Sequence, residues 1–102
     1  MEQVFLNLLK NAREACRNCP EPEIIVRANK QKERIIFTIK DNGEGILPEV
    51  RERIFVPFFT TKPNGSGIGL SLCRQIITLH DGSILVHSEP GSGSEFVLEF
   101  TE

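Results

Sequence analysis

The stretch Gly65-Ser66-Gly67-Ile68-Gly69-Leu70 governs the interpretation of this chain, because three alternating glycines stand directly ahead of a helical pattern. Glycine lets the backbone approach a ligand closely, and the N-terminus of the following helix presents unpaired N–H groups that favour an anion such as a phosphate chain. The stretch lacks the Gly-x-x-x-x-Gly-Lys-Ser/Thr pattern of a Walker loop, and the strand that a dinucleotide fingerprint requires does not precede it. Taken alone, it predicts either a phosphate-binding loop or a flexible loop that ends in a helix cap.

Composition predicts one soluble domain without a charged binding surface. The 102 residues are 39% hydrophobic and 25% charged, and the net charge is −2 with interspersed signs, so neither nucleic acid nor a membrane surface is an expected partner. We find no apolar run near the ~20 residues of a membrane span and no signal peptide. Three cysteines, an odd number, argue against a disulfide framework and for a reducing compartment. We expect a cytoplasmic domain, whether or not its parent protein is membrane-anchored.

Cys16 and Cys19 have the C-x-x-C spacing of metal and redox sites, but they end a predicted helix instead of starting one after a strand. A structural zinc ion needs four ligands, and no second pair stands at metal-ligand spacing. The pattern favours a small buried residue and a helix-end cysteine over a metal or redox site.

The first predicted helix runs from Glu2 to about Asn18 and carries polar residues beside its apolar stripe. Asn7 and Asn11, flanked by Gln3 and Glu14, are one turn apart although asparagine is a poor helix former. A solvated face is the simpler interpretation, but such faces favour Glu, Lys and Gln. The two carboxamide oxygens would instead suit Mg²⁺, which takes few protein oxygens and completes its shell with waters and phosphates. The apolar stripe is predicted to comprise Val4, Phe5, Leu8, Leu9, Ala12, Ala15 and Cys16.

A predicted hairpin, with strands over residues 23–29 and 34–40, runs into Asp41-Asn42-Gly43-Glu44-Gly45-Ile46. Asn42-Gly43 is a strong turn signal, so a plain hairpin turn is one interpretation. No third strand follows, however, because residues 47–55 read as a short helix. A carboxylate at a strand end can accept a hydrogen bond from an exocyclic amine, and the glycines let a flat ring lie against the backbone. This segment is therefore a candidate adenine site.

The second half of the chain is predicted to form a lid, a helix and a closing hairpin. Three phenylalanines within residues 55–59 would anchor a mobile loop that carries Lys62, which either reaches a phosphate or is solvated. The final helix is predicted over residues 68–80, where Ile68, Leu72, Cys73, Ile76 and Ile77 would be buried. Strands are predicted over residues 83–88 and 95–100.

Together these segments resemble the motifs of the sensor histidine kinases, in the family's order. Residues 7–15 resemble the N box and residues 41–45 the first glycine box. Residues 55–62 resemble the F box, residues 65–70 the second glycine box and residues 91–94 the last turn. The resemblance covers essentially the whole chain, and the short lid with its Phe-Phe-Thr-Thr-Lys run resembles the nitrogen-regulation type of sensor kinase.

The resemblance implies the ATP-binding (catalytic) domain that histidine kinases share in outline with gyrase, Hsp90 and MutL. Its fold is α/β, a two-layer α/β sandwich (the Bergerat ATP-binding fold) with helices on one face of a mixed sheet and nucleotide between helices and lid. We expect residues 1–102 to be this domain in N-terminally truncated form, lacking the family's first strand. Such a domain would be marginally stable and prone to self-association through its truncated end.

The resemblance also implies roles for individual residues. Asn11 would be the principal Mg²⁺ ligand with Asn7 near the metal and phosphates, and Asp41 would bind the adenine amine with help from Ser94. Many members of the family have lysine where this chain has Glu14, which places a phosphate contact from that position in doubt. The other ATP-binding residues that the resemblance implies are Gly43, Gly45, Ile46, Phe59, Lys62, Gly65, Ser66, Gly67, Gly69 and Leu70.

The activity we expect is transfer of the γ-phosphoryl group of ATP to a histidine on a separate dimerisation domain, which then serves a response regulator in two-component signalling. The alternative is an ATP-hydrolysing conformational switch, or a serine kinase or nucleotide-binding module of the same superfold. The switch ATPases carry glutamate as general base where this chain has Asn7, and an amide cannot activate water in that way. Neither His80 nor His87 has the family's phosphoacceptor context, so we expect both to be structural and the chain to be inactive alone.

Overall fold

A computed structural model describes residues 2–57 and 69–101, and the statements that follow concern those residues. None of their helices is long and apolar enough to cross a membrane. The elements, in chain order, are α1 (Glu2–Ala15), β1 (Ile24–Gln31), β2 (Arg34–Asp41), α2 (Pro48–Arg51), α3 (Gly69–Leu79), β3 (Ser83–Glu89) and β4 (Gly93–Thr101).

The described strands form one sheet in the order β1-β2-β4-β3, and each neighbouring pair is antiparallel. The α/β architecture expected from the sequence is confirmed, but the sheet is an open antiparallel one where a mixed sheet was expected. The reason is topological. β2 and β3 run parallel to each other, and β4 lies between them, so that no two parallel strands are neighbours.

The core lies between one face of this sheet and the helices α1 and α3. Leu8 of α1 and Ile77 of α3 are fully buried against Ile39 and Leu98 of the sheet. Burying each such side chain contributes about 1.5–3 kcal/mol before entropy is counted. The predictions for Leu9 and Leu72 were wrong, because these side chains are 37% and 38% exposed on the helix flanks that no other described element covers.

The helix α1 ends at Ala15, three residues before the predicted end at Asn18, and its last carbonyl bonds outside the helix. A continuing helix would use the Ala15 carbonyl to accept the Cys19 N–H. The Ala15 carbonyl instead accepts the Glu44 N–H at 3.2 Å, and the Cys19 N–H bonds to the Cys16 carbonyl at 2.9 Å. The helical bonding pattern is already left at Arg17, whose N–H bonds to the Glu14 carbonyl at 3.2 Å, and the bond from Glu44 satisfies the last carbonyl of the helix.

The strand β4 begins at Gly93, two residues before the predicted start at Glu95. Gly93 has a φ of 108°, and a Cβ at this position would lie 2.0 Å from the Asp41 carbonyl oxygen. Only glycine permits this close approach, which brings the next residue, Ser94, into register with Asp41 at the end of β2.

Candidate functional site

The centre of the candidate site is the carboxyl group of Asp41, which the fold buries to 3% exposure where β2 ends beside β4. Its Oδ1 accepts the Gly43 N–H at 2.9 Å, and the Ser94 backbone N–H also bonds to the carboxylate. Burial raises the pKa of Asp41, the two backbone N–H groups lower it, and the charge of Glu44 raises it, with a net increase. The result is a buried, oriented acceptor, and its binding of the adenine amine stays a prediction.

Gly43 joins this carboxylate to the end of α1. A Cβ on Gly43 would lie 2.5 Å from the Ala15 carbonyl oxygen, an overlap with backbone that no rotamer relieves. The sequence predicted that this glycine leaves room for a flat ring. The structure adds a second reason for it, which is packing against the helix terminus.

Gly45 joins the same loop to the turn between β3 and β4. It has a φ of 74°, and a Cβ would lie 2.2 Å from the Glu89 carbonyl oxygen. The preceding Glu44 carbonyl accepts the Gly91 N–H at 2.8 Å, so the two loops pack backbone to backbone. The loop of residues 41–46 is thus attached both to α1 and to the hairpin of β3 and β4.

Ser88 is a residue of the site that the sequence analysis missed. Its Oγ accepts the Ile46 N–H at 2.7 Å, donates to the Gly93 carbonyl at 3.1 Å, and lies 3.0 Å from Ser94 Oγ. Either hydroxyl can donate the hydrogen bond between Ser88 and Ser94, and Ser94 Oγ keeps an acceptor lone pair in both cases. Ser94 can therefore accept a hydrogen bond from a ligand.

Asn42 was also missed, because the sequence analysis treated it only as half of a turn signal. Its Oδ1 accepts the Glu23 N–H at 2.8 Å, and its Nδ2 donates to the Glu21 carbonyl at 2.9 Å. The thiols of Cys16 and Cys19 also contact it, at Oδ1 and at the carbonyl oxygen. These bonds attach Asn42, the residue directly after Asp41, to the segment between α1 and β1. The bonded residues are about 20 positions apart, and no local sequence pattern indicates such a link.

On α1, Asn7 and Asn11 are both half-buried one turn apart, as predicted. Asn7 Nδ2 donates to the Gly69 carbonyl at 3.4 Å, and Asn7 Oδ1 accepts from Gln3 Nε2 at 3.1 Å. Asn7 thereby connects α1 to the first residue of α3. Neutral carboxamide oxygens at this spacing fit Mg²⁺ that arrives with a nucleotide. Among the described residues, no group of three or more His, Cys, Asp or Glu side chains forms an alternative metal site.

Gly69 and Leu70 open α3, and Gly69 differs from the glycines of the first box. A Cβ added to it would meet nothing within 4 Å, and its φ is not positive, so packing alone does not require glycine there. The predicted binding residues Phe59, Lys62, Gly65, Ser66 and Gly67 lie outside the described residues. Among the predicted residues, the structure brings Asp41, Gly43, Gly45, Ile46 and Ser94 together in one cluster, and connects Asn7 to Gly69 at a second point.

Comparison with known proteins identifies the class to which this fold and site belong. The family model described as "Histidine kinase-, DNA gyrase B-, and HSP90-like ATPase" matches residues 1–102. The chain belongs to this ATPase family.

Curated relatives are sensor kinases of several kinds. The chain is 42% identical over 98 residues to the C4-dicarboxylate transport sensor protein DctB of Rhizobium meliloti, covering 96% of this chain and 16% of that protein. It is 43% identical over 101 residues to the alginate biosynthesis sensor protein KinB of Pseudomonas aeruginosa, again covering 96% and 16%. Sporulation kinase A of Bacillus subtilis is 41% identical over 100 residues, which cover 98% of this chain and 16% of that protein. The chain thus spans about a sixth of the length of these relatives.

Solved structures agree with the fold. The catalytic domain of the histidine kinase ThkA superposes with a TM-score of 0.83 at 36% identity, covering 98% of this chain and 64% of that one. Full-length ShkA, solved in complex with AMPPNP, superposes with a TM-score of 0.84 at 30% identity, covering 96% of this chain and 20% of that one. Within the family, the domain is an ATP-binding catalytic domain of the histidine kinase type, the kind used in two-component signalling.

Proposed function

We propose that this domain binds Mg-ATP and donates the γ-phosphoryl group to a histidine on a separate dimerisation domain of its parent kinase. The observation that carries the nucleotide part is the buried Asp41 carboxylate, held by the N–H groups of Gly43 and Ser94 at the junction of two strands. The kinase part rests on relatives that are 41–43% identical over nearly the whole chain.

Asp41 recognises adenine through its ionised form. An ionised carboxylate only accepts hydrogen bonds, and two of its acceptor positions already bond to backbone N–H groups. The remaining lone pairs take the exocyclic amine of adenine, and Ser94 Oγ offers a second acceptor, directly or through water. Guanine presents a carbonyl at the same ring position. In a GTP complex this carbonyl and the Asp41 carboxylate would face each other as two acceptors without a hydrogen between them.

Asn11 and Asn7 hold the metal–phosphate end of the nucleotide. Mg²⁺, when bound, supplies charge neutralisation for the phosphates during phosphoryl transfer. The carboxamide oxygen of Asn11 is the protein ligand, and Asn7 lies one turn away beside the start of α3. The lid residues Phe59, Lys62, Gly65, Ser66 and Gly67 complete the phosphate contacts in this proposal, together with Gly69 and Leu70.

Transfer to a histidine is favoured over ATP hydrolysis because the position beside the metal ligand carries an amide. Asn7 uses its Nδ2 as a donor to the Gly69 carbonyl, and an amide oxygen is too weak a base to activate water at neutral pH. An imidazole supplied by a partner domain is itself the nucleophile, so no base is needed at Asn7.

The acceptor belongs to a partner in this proposal. His80 and His87 are both exposed, one at the end of α3 and one on β3; their lack of a phosphoacceptor role remains a prediction. We further propose that a response regulator finally receives the phosphoryl group and that the domain is cytoplasmic. The sequence of residues 58–62 supports the proposal that the parent kinase is of the nitrogen-regulation subtype.

Self-association is proposed from the edge strand β1. Ile24 and Val26 pair with Asp41 and Ile39, so they lie on the helix-bearing face of the sheet, yet they are 38% and 53% exposed. An edge strand with uncovered apolar side chains is a template for pairing with another chain.

Calorimetric titration with ATP and GTP tests the nucleotide part. We expect ATP to bind about 5- to 150-fold more tightly, because the GTP complex loses a buried hydrogen bond worth about 1–3 kcal/mol. Asp41→Asn should abolish the preference, since its amide can rotate to donate to the guanine carbonyl. Equal affinities in the unmodified protein would contradict the assignment of Asp41.

A further inference from the structure

Two cysteines that follow the end of α1 lie against the loop of residues 41–46. Cys16 is buried and Cys19 is half-buried, and the Cys19 N–H donates to the Cys16 carbonyl at 2.9 Å, which closes a four-residue turn. Cys16 Sγ lies 3.5 Å from Asn42 Oδ1, and Cys19 Sγ lies 3.3 Å from the Asn42 carbonyl oxygen. Two thiols therefore share one partner, and that partner directly follows Asp41.

The turn also brings the Cα atoms of Cys16 and Cys19 to a separation that a disulfide can span. A turn closed in this way brings its first and fourth Cα atoms within about 7 Å, and disulfides join Cα atoms about 4.4–6.8 Å apart. The third cysteine, Cys73, is fully buried in the core on α3, where its thiol contacts the Val4 carbonyl at 3.8 Å.

We propose that Cys16 and Cys19 form a reversible thiol–disulfide site, oxidised by small-molecule disulfides, whose oxidation loosens the loop that carries Asp41. The site lies outside the proposed phosphoryl-transfer machinery, although its effect on nucleotide affinity rests on the proposed function.

The chemistry is balanced exchange between a disulfide and two thiols. Cys19, the more exposed of the pair, attacks the small disulfide as a thiolate and forms a mixed disulfide, with release of one small thiol. Cys16 then loses its proton and attacks the Cys19 sulfur, which expels the second small thiol. The protein gives up two electrons and two protons, and the oxidant becomes two thiols. Burial raises the pKa of Cys16, so that Cys16 is the less reactive thiol and follows Cys19 in the sequence of steps.

Oxidation changes the loop because both thiol hydrogens are lost. Asn42 then loses the thiol donor to its part-buried Oδ1, which keeps the Glu23 N–H, and the thiol donor to its exposed carbonyl oxygen. The same turn supports Ala15, whose carbonyl contacts Gly43 and accepts the Glu44 N–H. Oxidation of the two thiols is therefore expected to affect the loop of residues 41–46 at two points, which are Asn42 and the bond between Glu44 and Ala15.

The test equilibrates the chain in oxidised and reduced glutathione at a series of ratios, then counts thiols in the denatured protein after acid trapping. Three free thiols should fall to one, with the mass of two hydrogens lost and no glutathione retained, and dithiothreitol should restore all three. Cys16→Ser and Cys19→Ser should each fail to form the internal bond, whereas Cys73→Ala should form it as the unmodified chain does. Glutathione adducts without an internal bond, at every ratio, would overturn the proposal.

Hydrogen exchange of the amides of Gly43 and Glu44 reports the loop without any nucleotide. We expect both amides to exchange about tenfold faster in the oxidised chain, as local opening becomes easier. ATP affinity should fall about fivefold on oxidation, and in Cys19→Ser it should be the same under oxidising and reducing conditions. An internal disulfide with unchanged exchange would refute the link to the loop. Absence of ATP binding in both redox states would refute the proposed function, while thiol counts and exchange rates would still decide this inference.

Discussion

The carbonyl oxygen of Ala15 accepts a hydrogen bond from the N–H of Glu44 at 3.2 Å, and this bond ties the helix that carries the candidate metal ligands to the loop that carries the candidate adenine acceptor. Asn11 lies one turn before Ala15 on α1, and Asp41 lies three residues before Glu44. The two ends of the proposed nucleotide site are therefore held by one continuous set of backbone contacts.

The glycines of the two boxes should respond differently to alanine. Gly43→Ala places a Cβ 2.5 Å from the Ala15 carbonyl oxygen, so we expect the free energy of unfolding to fall by at least about 2 kcal/mol. Gly69→Ala, where the added Cβ meets nothing within 4 Å, should leave it unchanged or slightly higher. Urea unfolding of the nucleotide-free chain measures both.

Gly69→Ala then isolates the role of that glycine toward the ligand. If α3 begins at the phosphates, the new methyl group should weaken ATP binding by about tenfold, the equivalent of losing about 1.4 kcal/mol of phosphate contact. Unchanged stability together with unchanged ATP affinity would remove Gly69 from the site.

Asn11→Ala should weaken binding of Mg-ATP by at least about tenfold and of metal-free ATP by less than about twofold, because the lost oxygen belongs to the metal shell. Calorimetry with Mg²⁺ and with EDTA gives the two affinities. Arg13→Ala, at an exposed position of the same helix, is the matched control and should change neither. Equal losses with and without Mg²⁺ would contradict the assignment.

Because of Asp41, the free energy of unfolding and the ATP affinity should change with pH in opposite directions. Burial raises the pKa of the folded-state carboxyl above its ordinary value of 3.8, so the folded chain binds the proton more tightly than the unfolded one. This contribution to stability is fully present below the ordinary pKa and is lost as pH rises through the folded-state pKa. ATP affinity should rise over the same range, because the adenine amine needs the ionised acceptor.

Asp41→Asn is the control for both pH measurements, since it removes the titrating group while protonation of ATP itself still occurs. The difference in unfolding free energy between the two proteins, and the ratio of their ATP affinities, should each change with pH in the stated direction. A flat difference and a flat ratio through the acid range would show that Asp41 does not titrate as the structure implies.

The sequence predicted the elements and the candidate residues better than it predicted their environments. Hydrophobic patterning located both long helices and all four described strands, although seven of the eight residues of β1 are exposed. The bond between the Glu44 N–H and the Ala15 carbonyl at the end of α1 could not be predicted, because the two residues are remote in sequence. The support given by Ser88 and Asn42 was missed for the same physical reason: their partners are 42 and about 20 residues away, and local patterns carry no such information. The exposure of Leu9 and Leu72 likewise depends on which helix flanks the fold covers.

The most direct test of the proposed function is phosphoryl transfer from γ-labelled ATP, measured with the chain alone and with a dimerisation domain from a matching sensor kinase added separately. We expect no acid-labile label on the chain itself, label on the histidine of the added domain, and loss of that label with Asn11→Ala. Acid-labile label on His80 or His87 would contradict the assignment of the acceptor to a partner. Tight ATP binding without label on any matching domain would contradict the kinase function and favour a nucleotide-binding module.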